Sequence, residues 1–106
     1  RLDGLNATAF PSGVMTMPVE ATEHAGPIVI HRKELRPDSG GAGRLRGGLG
    51  QCMEVGPREG HAMEFRAQFD RMKHPPRGRH GGQDGAPTVV ETSDGTAYPA
   101  KARFRV

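Results

Sequence analysis

With 106 residues, 15 basic side chains against 12 acidic ones and a net charge of +3, the chain has the size of one domain and lacks the charge excess of a disordered polyelectrolyte. Only eighteen residues are Leu, Ile, Val or Phe, a thin supply against an ordering cost on the order of 100–200 kcal/mol for about 100 residues. No apolar stretch approaches the length of a membrane span and no charged-then-apolar leader is visible, so neither a transmembrane helix nor a signal peptide is read from these residues.

Residues 1–26 carry Gly4, Pro11, Gly13, Pro18 and Gly26 at short intervals, leaving room for at most one helical turn around Val19 to His24. Pro27 to Leu35 reads as a strand, β-branched at first and alternating after, bounded by Gly26-Pro27 and Arg36-Pro37. Six glycines then fall between Gly40 and Gly50, interleaved with Arg44 and Arg46. Gln51 to Val55 is a short strand, and Gly56-Pro57-Arg58-Glu59-Gly60 has turn chemistry. From His61 to Asp70 the chain alternates, with Met63, Phe65, Ala67 and Phe69 on one side and Glu64, Arg66, Gln68 and Asp70 on the other. Residues 72–87 form a second long loop with seven Gly and Pro. Thr88 to Thr92 is a strand, Ser93-Asp94-Gly95-Thr96 carries the Asp-Gly signal of a tight hairpin, and Thr96 to Val106 returns. The predicted fold is all-β: short antiparallel strands joined by two long Gly-rich loops, with little or no helix. Beginning at Arg1 and ending on a strand-like segment, residues 1–106 are read as a single partial domain of a longer chain.

The glycine run invites a phosphate-binding reading, which its spacing does not meet. A P-loop needs Gly-Lys-Ser/Thr leading into a helix, and no Lys-Ser/Thr follows these glycines. A dinucleotide fingerprint needs a third glycine where Arg46 stands. Arg46-Gly47-Gly48 is one copy of an arginine-glycine unit with no aromatic residue in the loop, so the stacking platform of a single-strand binder is missing and no nucleic-acid partner is expected. Glycine reaches φ > 0 without steric cost and also admits close approach of another backbone or a ligand. An ordered loop of this kind serves one of those purposes.

The five histidines are scattered, and neither Glu20 with His24 nor His74 with His80 has the spacing of a zinc motif. No metal site is assigned. Cys52, the lone cysteine, cannot form an internal disulfide, fits a reducing compartment, and reads as a small packing residue on a strand. The charged residues beside the glycines are the candidate site: Arg36, Asp38, Arg44 and Arg46. On the structural reading Arg36 and Asp38 fix the turn, Asp38 by bonding backbone amides two residues on. On the functional reading Arg44 and Arg46 present guanidinium forks to a carboxylate or phosphate.

The string from Leu35 to Gln51, Leu-Arg-Pro-Asp-Ser-Gly-Gly-Ala-Gly-Arg-Leu-Arg-Gly-Gly-Leu-Gly-Gln, resembles the signature of the hydantoinase B/oxoprolinase family. The resemblance continues upstream through Phe10 to Val14 and Pro18 to Glu23, and downstream through Phe69-Asp70-Arg71, Pro75 to Arg79 and Gly81 to Pro87. One departure is Met15-Thr16-Met17, where the family commonly has Arg-Asn-Thr. The resemblance implies a fragment from the later part of a B-type subunit of a cytoplasmic, ATP-dependent enzyme that opens cyclic amides such as 5-oxoproline or hydantoins, with related members carboxylating ketones. It implies a hydantoinase A-type partner subunit or domain that handles ATP, a divalent metal held elsewhere in the complete enzyme, and no cofactor bound by this fragment, which is inactive alone. A lactam is a poor electrophile, and phosphorylating its oxygen prepares it for attack; glycine-loop amides and nearby arginines suit the charge that develops. The alternative is a structural or subunit-docking module with no catalytic residue of its own.

Overall fold

The computed structural model describes residues 2–8 and 17–106; the family-like segment Phe10 to Val14, and the Met15-Thr16 part of the departure, lie outside the described residues. Helix α1 spans Val19–Ala25, and strands β1 to β4 span Ile28–Leu35, Gln51–Pro57, Glu64–Gln68 and Lys101–Arg105. The helix is nearly two turns rather than the single turn expected. It starts directly after Pro18, whose fixed φ suits the entry to a helix, and Thr22 closes the first turn on the Pro18 carbonyl. Its Glu23 carboxylate accepts the Ile30 backbone N–H at 2.7 Å, pinning α1 to β1.

Strands β1 and β2 pair antiparallel from Ile28↔Pro57 to Leu35↔Gln51, with a bulge between Ile30 and Arg32 that leaves His31 outside the ladder. Strands β3 and β4 form a second antiparallel pair, from Glu64↔Arg105 to Gln68↔Lys101. The alternation read over His61 to Asp70 is thus realised as a five-residue strand, extended at its ends by the mutual bonds of Met63 and Val106 and by Phe69 N–H to the Ala100 carbonyl. Its apolar side gathers Phe65, Phe69, Tyr98 and Phe104, with Tyr98 and Phe104 stacked at 3.9 Å between centroids and Phe65 5.4 Å from Phe104.

The hairpin turn is where the Asp-Gly signal put it. Gly95 takes φ +83°, Thr92 N–H bonds the Thr96 carbonyl, and the Asp94 carboxylate accepts from Thr92 Oγ1 at 2.6 Å and Thr96 N–H at 3.0 Å. The strand expected over Thr88 to Thr92 is reduced to one bridge, Glu91↔Ala97, supported by Tyr98 N–H to the Val90 carbonyl. Pro99 explains the short return, because it has no N–H to continue a ladder.

The core is small. Among the described residues Ala67 and Val90 are the buried apolar ones, no side chain is fully buried, and Leu2 and Leu5 stand 91 % and 78 % exposed. The accessible surface is 8726 Å², where a compact 11.4 kDa monomer exposes about 5,800 Å². Extents of 51 × 27 × 23 Å agree with that open shape. No helix of the described residues is long and apolar enough to cross a membrane.

Candidate functional site

Three segments far apart in sequence meet at the glycine run. Residues 3–7 lie along 46–49: Gly4 N–H bonds the Arg46 carbonyl at 2.8 Å and Ala7 N–H the Leu49 carbonyl at 2.7 Å. In return the Asp3 and Asn6 side chains accept the Arg46 and Leu49 N–H groups, each at 2.9 Å. On the other side, residues 76–86 lie against 39–42, through Gln83 N–H to the Ala42 carbonyl at 2.8 Å and Ala86 N–H to the Ser39 carbonyl at 2.9 Å. Within the loop, Gly47 N–H reaches the Gly41 carbonyl at 3.0 Å, and Arg36 N–H closes the base on Gly50.

This knot decides what the glycines are for. None of those between Gly40 and Gly50 has a positive φ. A methyl group on Gly40 would overlap the Gly47 carbonyl, and one on Gly41 the Gln83 carbonyl. Backbone packs on backbone here, with no space for a Cβ between.

Ser39 is the anchor that sequence reasoning missed. Its buried hydroxyl donates to the Arg36 carbonyl at 2.7 Å and accepts the Gly50 N–H at 2.8 Å, joining both ends of the loop. The structure corrects the turn-fixing role expected of Asp38, whose carboxylate has no hydrogen-bond partner among the described residues. Asp38 instead sits exposed in the left-handed region at φ 53°. The Arg36 guanidinium donates to the Pro87 carbonyl at 2.6 Å, tying the base of the first loop to the end of the second.

Asp38 and Arg46 line one cavity of about 280 Å³, together with Gly40, Ala42, Gln83 and Asp84. Arg44 is exposed on the same loop and does not line it. The structure therefore brings together two of the four candidate residues and separates two. Gln83 and Asp84 were missed because they come from the second loop; the Asp84 carboxylate accepts the Gly78 N–H at 2.7 Å and so shapes its own segment.

A larger open groove of about 640 Å³ runs between α1 and the start of the β2–β3 connection, with Glu20, His24, Arg58 and His61 on its walls. Glu20 and His24 share a face there, but among the described residues no three His, Cys, Asp or Glu side chains are grouped to hold a metal ion. Cys52 is half-buried on β2.

Comparison with known proteins places these features. The model of the family Hydantoinase B/oxoprolinase matches residues 1–105, and the chain belongs to that family. It is 46 % identical over 50 residues to the caprolactamase subunit beta of Pseudomonas jessenii, covering 47 % of this chain and 8 % of that protein. It is 39 % identical over 71 residues to 5-oxoprolinase 1 of Arabidopsis thaliana, covering 67 % of this chain and 5 % of that one. The matched stretches thus span less than a tenth of the length of either relative. No solved structure matches.

Proposed function

We propose that this chain is a portion of the B-type subunit of an ATP-dependent enzyme that hydrolyses a small cyclic amide, and that its glycine knot forms one wall of the substrate site. The observation that carries the reading is the family match over residues 1–105, joined to the gathering of its glycine-rich segments around the cavity of Asp38 and Arg46. Both of these relatives, a caprolactamase subunit and a 5-oxoprolinase, are named for cyclic amides. No helix follows the glycine run to offer a phosphate the amides of a helix N-terminus. ATP therefore belongs in this reading to an A-type partner subunit or domain. The portion described here acts with that partner and the rest of its own chain, in the cytoplasm, and is inactive alone.

What the chain offers the reaction is a fixed frame. Loop amides and the Arg46 guanidinium are positioned before substrate arrives, so that little reorganisation is needed as negative charge develops on the amide oxygen. The test is to express the intact chain with its partner and measure ATP consumption with 5-oxoproline, hydantoins, and ketone plus bicarbonate. Turnover dependent on a cyclic amide supports the reading. Turnover only with ketone and bicarbonate replaces it by carboxylation.

A second reading, a docking module without catalytic residues, is favoured by the thin core and by exposed Leu2, Leu5 and Leu45 beside the knot. Replacing Arg44 and Arg46 together by Lys separates the two. The site reading expects turnover to fall at least about tenfold with assembly intact, and the docking reading expects unchanged kinetics.

A further inference from the structure

We infer that the cavity between the two glycine-rich loops recognises an amide at two points, Asp38 accepting its N–H and Arg46 donating to its carbonyl oxygen, and so selects amides held cis within a ring. The inference rests on the cyclic-amide reading above and assigns that reading its contacts. An open-chain amide is trans, with N–H and C=O on opposite sides of the C–N bond. A small lactam or hydantoin ring enforces the cis form and puts the donor and the acceptor side by side. A site for that edge needs an acceptor and a donor next to each other on one wall, held from collapsing onto one another.

Asp38 and Arg46 are the acceptor and the donor that this cavity offers. They line the same cavity without forming an ion pair, and neither charged group has a hydrogen-bond partner among the described residues. Backbone contacts anchor the segment that carries each. Asp38 precedes Ser39, whose hydroxyl is bonded on both sides, and the Arg46 peptide is held at its N–H by Asp3 and at its carbonyl by Gly4. The other carboxylate of the cavity, Asp84, already accepts the Gly78 N–H, which leaves Asp38 as the acceptor. Two carboxylates against one guanidinium also disfavour a free anion such as phosphate, whereas a neutral amide carries no charge to be repelled. Leu49 supplies an apolar wall for ring methylenes.

The experiment uses the intact subunit assembled with its partner and compares inhibition by 2-pyrrolidinone, a cis amide with an N–H, and N-methyl-2-pyrrolidinone, which has only the carbonyl. Asp38→Gly suits the left-handed backbone at this position while removing the carboxylate. It is expected to weaken 2-pyrrolidinone roughly 10- to 100-fold and to abolish the preference for the N–H lactam. Arg46→Met is expected to weaken both lactams alike, because both present the carbonyl. If the wild-type assembly turns over a cyclic amide but the N–H preference survives Asp38→Gly, the two-point contact is wrong and the functional reading stands. If the wild-type assembly turns over no cyclic amide, both are overturned. Should Asp38→Gly lower the thermal midpoint of the subunit, the two lactams are compared well below that midpoint, and an unchanged N–H preference there overturns the contact.

Discussion

The glycine knot and the β3–β4 sheet are held together by opposite means. The sheet has side chains to bury: Phe65, Phe69, Tyr98 and Phe104 cluster together, and β3 also carries Ala67, the most buried apolar residue among those described. The knot has almost none, and its segments are joined by peptide groups packed too closely for a Cβ. Burial of apolar surface is non-directional and tolerates small shifts, while a hydrogen-bonded backbone contact fixes position to a fraction of an ångström. The knot thus provides the accurate frame a binding site needs, and the sheet supplies cohesion.

The largest effect is expected from putting a side chain into the knot. Gly41→Ala sets a methyl against the Gln83 carbonyl, a neighbour that is backbone and cannot rotate away. A cost of about 3 kcal/mol or more is expected in denaturant unfolding of the intact subunit. Gly26→Ala is the matched control: it has extended backbone and nothing within 4 Å of the added carbon, so its change should stay within about 0.5 kcal/mol. Equal costs at the two positions would remove the distinction between knot and open loop.

Next comes a pair of truncations, one in each region. Phe104→Ala opens the aromatic cluster and should cost about 2 kcal/mol, below the usual range for phenylalanine because the ring is only half-buried. Ser39→Ala removes the hydroxyl that joins the Arg36 carbonyl to the Gly50 N–H, at about 1 to 2 kcal/mol. The order should reverse in kinetics. Ser39→Ala is expected to raise KM for the cyclic amide severalfold by freeing the Asp38 side of the cavity, with Phe104→Ala leaving KM unchanged. A KM change confined to Phe104→Ala would place the site on the sheet instead.

How much of this could be read from the sequence follows the same division. Strands β1 and β2, the alternation of β3 and the Asp-Gly turn carry local signals, period two or a φ that only certain residues accept, and were legible, although β2 runs on through Gly56 and Pro57, which read as part of a turn. The helix was longer than expected because Gly26 stops it only after seven residues, and Glu23 anchors it to β1 across the turn. The glycine run was legible as a place where backbone comes close but not as to what approaches, since its partners lie 43 residues upstream at Asp3 and 51 residues beyond Arg36 at Pro87. Nor could the sequence choose between Asp38 and Ser39 as the turn's anchor. Both residue types bond nearby amides, and only the left-handed φ at Asp38, which leaves it exposed beside the buried serine, decides it. Asp38 and Arg46 were named from the run itself; Gln83 and Asp84 needed the fold.

The smallest effect lies on the outer face of the sheet and in its hairpin. Register puts Arg66 directly opposite Arg103, a like-charge pair that would weaken the sheet. Glu64 offsets this by taking Arg66 Nε on one oxygen at 3.0 Å and the Arg103 guanidinium on the other at 2.6 Å. The bonds from Arg103 and then Arg66 hold the Glu64 carboxyl below the usual carboxylate range, and the Thr92 hydroxyl and Thr96 N–H do the same for Asp94. A carboxylate whose folded pKa is depressed contributes stability that is present above its unfolded pKa, near 4 for these groups, and is lost as pH falls through the folded value. The sheet should therefore keep its full stability at neutral pH and lose a small part only below about pH 4. Both carboxylates are solvent-accessible, so the loss is also expected to shrink with added salt. Glu64→Gln tests the assignment in acid titrations of thermal midpoint on the intact subunit: the variant should show a lower midpoint at neutral pH and a flatter acid limb. If the acid limb keeps its slope, the like-charge pair is compensated elsewhere; a knot variant such as Ser39→Ala should leave that slope untouched, because Ser39 bonds to neither Glu64 nor Asp94.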